Sequence, residues 1–146
     1  YVDRSGGAAC CAPPGREWRT EAQWEYAARG GLAGATYPWG EGIDATRANY
    51  DWNIGDTTEV GSYAPNGYGL YDLAGNVWEW VADWYGAYSS AAVENPTGSA
   101  SGSVRVLRGG NWYNGGSILR VAYRASITPS GSSNDFGFRC VASPGR

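Results

Sequence analysis

The chain has 146 residues, 23 of them glycine and none of them histidine or methionine, with a formal net charge of −3 and only 17% charged residues. That length suffices for one domain with a core of its own, and the glycine content suits an irregular, loop-rich fold better than a helical bundle. The lack of histidine excludes Ser-His-Asp and Cys-His catalysis and every His-ligated zinc or non-haem iron site; the scattered arginines of an acidic chain argue against nucleic-acid binding, and no apolar run approaches the roughly 20 residues of a membrane span.

In chain order, residues 1–18 show no periodicity and read as coil, an atypical N-terminal segment. Because the chain starts at Tyr1 rather than Met, we expect a fragment or processed product, with an altered or truncated N-terminus. The first clear element is a helix over 20–31, TEAQWEYAARGG. Thr20 is its N-cap with Gln23 at N3, Glu21 suits the positive end of the dipole, and Gly30-Gly31 stops it. Ala22 with Tyr26 and Trp24 with Ala28 supply apolar i, i+4 pairs. Residues 51–62 are polar and read as loop. The stretch 66–85, NGYGLYDLAGNVWEWVADWY, holds Trp78, Trp80 and Trp84. Its period of two from Asn76 to Trp84 predicts a strand, bracketed by turn signals at Asn66-Gly67 and Gly75-Asn76. A Ser/Ala/Gly-rich surface loop over 86–103 follows, then three predicted strands at 104–110, 118–124 and 136–141.

Several ordered motifs carry a family signal: TEAQWEYAARGG, Tyr37-Pro38-Trp39-Gly40, Ala48-Asn49-Tyr50, the 66–85 stretch, and the C-terminal RVLRGGNWYN, LRVAYR and GFRC. Together they resemble the formylglycine-generating enzyme (sulfatase-modifying factor) family over about residues 15–141. The resemblance implies an α+β, C-type lectin-like fold in a single domain over 1–146. The wider superfamily includes the variable proteins of diversity-generating retroelements and the lectin-like half of ergothioneine-type oxygenases. Fold alone does not assign an activity.

A calcium site is expected within the central motif. Asp72 and Glu79 are hard oxygen donors, and the turn between them can add the carbonyls of Gly75 and Val77, a set that suits the six to eight oxygens calcium takes. The family resemblance implies a structural calcium at these positions, and a second one beginning at Asn49 and Tyr50. The alternative for Glu79 is an ion pair with an arginine such as Arg108, Arg120 or Arg139. Arg120, Arg124 and Arg139 read as structural ion-pair partners of the central carboxylates, and the three tryptophans as core. Three cysteines allow one disulfide and one free thiol, or three reduced thiols, and Cys10 or Cys11 could take part. The resemblance implies Cys11–Cys140; such a bridge favours an extracytoplasmic or cell-surface location.

The family's enzymes convert a peptidyl cysteine to formylglycine with copper(I) held by two cysteines just after the R-V-x-x-G-G turn. Here the matching positions are Asn114 and, nearby, Gly116, and Asn111 replaces a serine that helps hold oxygen. Copper(I) needs soft thiolates, so copper is not expected and the chain reads as non-catalytic. The segment 111–135 mixes rigid aromatics with small hydrogen-bonding groups: Asn111, Trp112, Tyr113, Asn114, Ser117, Ile118, Tyr123, Ser126, Thr128, Ser130, Ser132 and Asn134. That mixture resembles a paratope, and in the retroelement variable proteins this region is the diversified binding face. The sequence therefore points to a domain that binds a protein, peptide or glycan ligand through 111–135. The alternatives are a copper-dependent formylglycine-generating oxidase, the lectin-like half of a non-haem iron oxygenase, and a purely structural domain.

Overall fold

The computed structural model describes residues 3–142. Residues 1–2 of the expected coil, and 143–146, lie outside the described part. The arrangement is α+β, with short elements linked by long irregular segments.

The N-terminal segment is not coil. It forms a helix, α1 (Arg4–Cys10), and a strand, β1 (Arg16–Trp18). Asp3 caps α1, its side chain accepting from the Gly6 N–H at 2.8 Å. No apolar period announces this helix, because what seats it is tertiary. Gly7 lies against Trp18 and Phe138, where a Cβ would come within 2.9 Å of the indole. The next element, α2 (Glu21–Arg29), follows its sequence signals: Thr20 and Gln23 complete a capping box, and Gly30 closes the helix in the left-handed conformation at φ 56°. Its buried face is Glu21, Trp24 and Ala28, however, while Tyr26 is 70% exposed.

The main sheet has the order β4-β3-β2-β5. Its centre is β2 (Trp78–Trp84), antiparallel to β3 (Arg105–Arg108) and parallel to β5 (Phe136–Phe138); β4 (Ala125–Ile127) pairs antiparallel with β3. Five of the seven β2 residues are buried, so both of its faces are covered. Trp78 and Trp80 pack with Leu107, Tyr123, Phe136 and Phe138 on one side. Val81 joins Trp24, Ala28, Leu73, Val106 and Val121 on the other, beneath α2.

Two strand expectations are corrected. Residues 118–124 are not a strand: a 3-10 turn at Gly116–Ile118 is followed by a further turn, and the β structure begins at Ala125. Residues 136–141 are two strands rather than one. After β5 the chain leaves the main sheet at Arg139, and β6 (Cys140–Ala142) pairs antiparallel with β1 in a two-stranded sheet. Cys11 and Cys140 form a disulfide with Cα atoms 5.5 Å apart, and Cys10 is free and exposed. Among the described residues no helix is long and apolar enough to cross a membrane.

The bridge closes a loop with a sequence separation of 129. Replacing Cys11 and Cys140 by serine should lower unfolding stability by about 2–5 kcal/mol, read as a drop in urea midpoint. An unchanged midpoint would show that β1–β6 pairing holds the N-terminal segment without the bond.

Candidate functional site

The site is built on a layer of buried charge between α2 and the sheet. Glu79, on β2, is 4% exposed and receives four donors from three parts of the chain. Arg19 Nη2 donates to Glu79 Oε2 at 2.6 Å and Trp24 Nε1 to the same oxygen at 2.8 Å. The Arg139 Nε donates at 2.9 Å, and its Nη2 adds a shorter bond to Oε1. Burial alone would raise the Glu79 pKa, but Arg139, Arg19 and these hydrogen bonds outweigh it and hold the carboxyl below the usual range. Desolvation lowers Arg19 in turn to about 10, against the pull of Glu79.

A second knot joins the start of α2 to the C-terminal half. Arg124 donates to both oxygens of Glu21, at 2.6 and 2.8 Å. Arg108 lies 3.5 Å from Glu21 and donates to Glu25 at 2.6 Å. Asp83 accepts from the Glu21 backbone N–H at 2.6 Å, and burial pushes its pKa up.

This geometry decides how the expected ligands are used. Asp72, Val77 and Glu79 line one cleft together with Arg139, but Gly75 does not. Asp72 accepts from the Gly61 N–H at 2.7 Å. With two guanidiniums on Glu79, its charge is already balanced, so these residues as arranged do not fit a dication: calcium there would have to displace Arg139. The arginine alternative describes Glu79, with Arg19 as a partner the sequence reading missed; Arg19 is 60 residues away, and no local signal links the two. Of the three arginines expected as partners of the central carboxylates, Arg139 pairs with Glu79, but Arg124 pairs instead with Glu21 of α2, and Arg120 is exposed and donates to the Ser117 carbonyl. Asn49 is buried; its Nδ2 donates to the Asp56 carbonyl at 2.8 Å, while its Oδ1 has no partner. Tyr50 packs against Tyr37, Ala48, Ala74 and Leu119.

The 111–135 segment divides. Asn111 and Trp112 are buried and are therefore corrected from surface contacts to internal supports. Asn111 exchanges hydrogen bonds with Asn114, both at 3.1 Å, and its Nδ2 donates to Asp135 Oδ2. Asn114, Ile118 and Tyr123 are half-buried. Tyr113, Ser117, Ser126, Thr128, Ser130, Ser132 and Asn134 reach the surface. An open cleft of about 460 Å³ is walled by Tyr113, Ser126, Ile127 and Ser132, with Asp135 and Trp78 also lining it. The Tyr113 hydroxyl donates to Asp135 Oδ2 at 2.9 Å, which fixes the ring at the cleft edge. Beyond it stands Trp52, 62% exposed, its ring 5.6 Å from Tyr113 and 4.6 Å from Trp112. Trp52 was outside the expected face, since it lies about 60 residues earlier; its only local sign is an aromatic in a polar loop.

At the positions matching the copper cysteines, Asn114 is engaged with Asn111. A Cβ on Gly116 would come within 3.0 Å of the Ile43 side chain.

The chain matches the sulfatase-modifying factor enzyme 1-like domain (FGE-sulfatase) over residues 2–144. It is 42% identical over 147 residues to the formylglycine-generating enzyme of Streptomyces coelicolor, a match that covers 87% of this chain and 46% of that protein. It is 41% identical over 164 residues to the inactive C-alpha-formylglycine-generating enzyme 2 of Mus musculus, covering 100% of this chain and 49% of that protein. Among solved structures, Treponema denticola variable protein 1 superposes with a TM-score of 0.81 at 39% identity, over 88% of this chain and 48% of that one. The chain thus spans about half of the length of these relatives.

The Glu79 knot gives a pH-dependent prediction. Because its folded pKa lies below the unfolded value of about 4.3, its contribution is full above that value and is lost as pH falls through the lower, folded one. Glu79→Gln should cost about 3–5 kcal/mol at neutral pH by leaving two guanidiniums uncompensated. The gap between variant and parent should shrink below about pH 4 in urea melts; a gap independent of pH would assign the loss to packing.

Proposed function

The chain belongs to the sulfatase-modifying factor enzyme 1-like (FGE-sulfatase) family, and from that premise we propose that it is a non-catalytic domain that binds a protein, peptide or glycan ligand. The observation that carries this reading is the cleft beside β4. Tyr113, Ser126 and Ser132 all come from the 111–135 segment, while the buried apolar cluster of Trp78, Trp80 and Leu107 forms its rigid backing. Preformed clefts with an apolar lining and few polar groups are the usual form of a binding site. The likeness to a variable protein and to an inactive relative supports the same reading.

The second reading, a formylglycine-forming oxidase, is favoured by the identity to the Streptomyces enzyme. It lacks thiolates at Asn114 and Gly116, and neither an amide nor a glycine supplies a soft donor to copper(I). Calcium enters our proposal as a structural ion at Asn49 rather than at Glu79, because the buried Asn49 Oδ1 is an acceptor without a donor and such a group is costly to leave bare. Bound there, the ion would supply that acceptor's missing partner.

Incubated with copper(I), oxygen and a peptide containing Cys-x-Pro-x-Arg, the domain should leave the cysteine unmodified by mass spectrometry; conversion to formylglycine overturns the non-catalytic reading. Peptides selected by display on the parent should lose at least about ten-fold in affinity on Ser126→Trp, which fills the cleft, whereas equal affinity would move binding elsewhere. In thermal melts, calcium should stabilise the parent and Asp72→Asn alike but not Asn49→Ala; loss of the effect in Asp72→Asn would return the ion to Glu79.

A further inference from the structure

Among the described residues two of the four buried carboxylates are paired with guanidiniums, while Asp83 and Asp135 are in no ion pair; Asp83 accepts from the Glu21 backbone N–H in a cleft that contains Arg29 and Arg124, whereas the cleft at Asp135 contains no cation. Glu79 has Arg19 and Arg139, and Glu21 has Arg108 and Arg124. The clefts beside α2 and beside Glu79 likewise contain arginines among their walls. Asp135 is 2% exposed and lines an open cleft, yet its side-chain donors are neutral: the Asn111 amide and the Tyr113 hydroxyl. Among the described residues no ion pair reaches it, and the segments 111–119 and 125–138 contain no arginine or lysine that could. A buried charge is normally paired, so a carboxylate facing a cleft without a cation of its own is matched to a cation from outside.

The surroundings have the same preference. Tyr113 forms one edge of the cleft, and Trp52 continues its surface at a 32° tilt. The loop carrying Trp52 is clamped: its N–H donates to the Trp112 carbonyl and that of Asp51 to the Asn114 carbonyl, both at 3.0 Å. Asp51 and Trp52 both adopt positive φ, 50° and 60°, a conformation that costs about 1–2 kcal/mol per residue without glycine. The strained turn holds an indole in solvent beside an exposed acid, Asp51. Aromatic faces and carboxylates together select a cation by charge and by attraction to the ring quadrupole.

We propose that the Asp135 cleft is a subsite for a guanidinium or ammonium side chain of a peptide ligand, with Tyr113 and Trp52 as its aromatic wall. This deepens the binding-domain reading and rests on it. It predicts a ligand with a basic residue at its anchor, a requirement that a neutral glycan would not meet.

The probe is a capped Gly-Arg-Gly peptide compared with its neutral isostere Gly-citrulline-Gly, titrated into the isotopically labelled domain and followed at the indole N–H signals. The arginine peptide should bind at least about ten-fold more tightly than the citrulline peptide, and Asp135→Asn should remove that preference. Trp52→Ala, at an exposed side chain, should weaken the arginine peptide by about three- to five-fold. Ser132→Arg places an internal cation at the exposed rim, and it should abolish the preference even if Asp135→Asn fails to fold. Equal binding of the two peptides, binding of neither, or a preference that survives Ser132→Arg would overturn the proposal. Display-selected ligands that are blocked by Ser126→Trp yet lack basic residues, or a neutral oligosaccharide that competes for the cleft, would sink the cationic subsite while leaving the binding domain standing.

Discussion

The carboxylate of Glu79 is the point on which the structure turns. It gathers Arg19 from the end of β1, Trp24 from α2 and Arg139 from the joint between β5 and β6. Each partner belongs to a different element, so the three cannot meet until those elements are docked. Desolvating two guanidiniums and a carboxylate is costly, and the arrangement is tolerable only because each charge meets an opposite one. Such a cluster contributes less to net stability than an apolar replacement could. Its effect is geometric: it fixes where the helix lies on the sheet and where the chain leaves one sheet for the other.

The Glu21 knot repeats that logic at the first residue of α2. Glu21 occupies the first turn, where the helix dipole favours a negative charge, and also receives Arg124 and Arg108. The Arg124 guanidinium lies 4.6 and 4.1 Å from the ring centres of Tyr85 and Tyr88, so the same cation is held by aromatic faces as well. With the first half of the helix tied to distant parts of the chain, the irregular loops have a rigid frame. At the surface, the loops 50–54 and 111–116 meet through backbone hydrogen bonds.

Close backbone approaches set the shape of that surface. Gly109 and Gly110, just after β3, have φ of 93° and 76°, and a Cβ on Gly110 would fall within 2.7 Å of Leu119. Only glycine permits the turn and the contact at once. Asn76, also at positive φ, accepts from Thr58 and Asn49 and donates back to the Thr58 carbonyl, joining the 49–58 loop to the start of β2. The Tyr113–Trp52 wall therefore rests on side-chain and main-chain ties rather than on a regular element.

The sequence by itself determined what short-range chemistry controls. The capping box and Gly30 mark α2; the period of two marks β2; the ordered motifs lead to the family, and through it to the Cys11–Cys140 pairing. Tertiary structure decided everything that depends on partners far apart in the chain. A helix at 4–10 forms because Trp18 and Phe138 receive Gly7, not because of its own propensity. The 118–124 segment alternates like a strand but turns instead, since Leu119 and Val121 are claimed by two different core clusters. Asn111 and Trp112 have the composition of a binding loop yet are buried, and Glu79 has that of a calcium ligand yet faces two arginines. Periodicity reveals which side chains share a face; it does not reveal what that face meets. Burial and ion pairing across 60 residues are properties of the assembled fold.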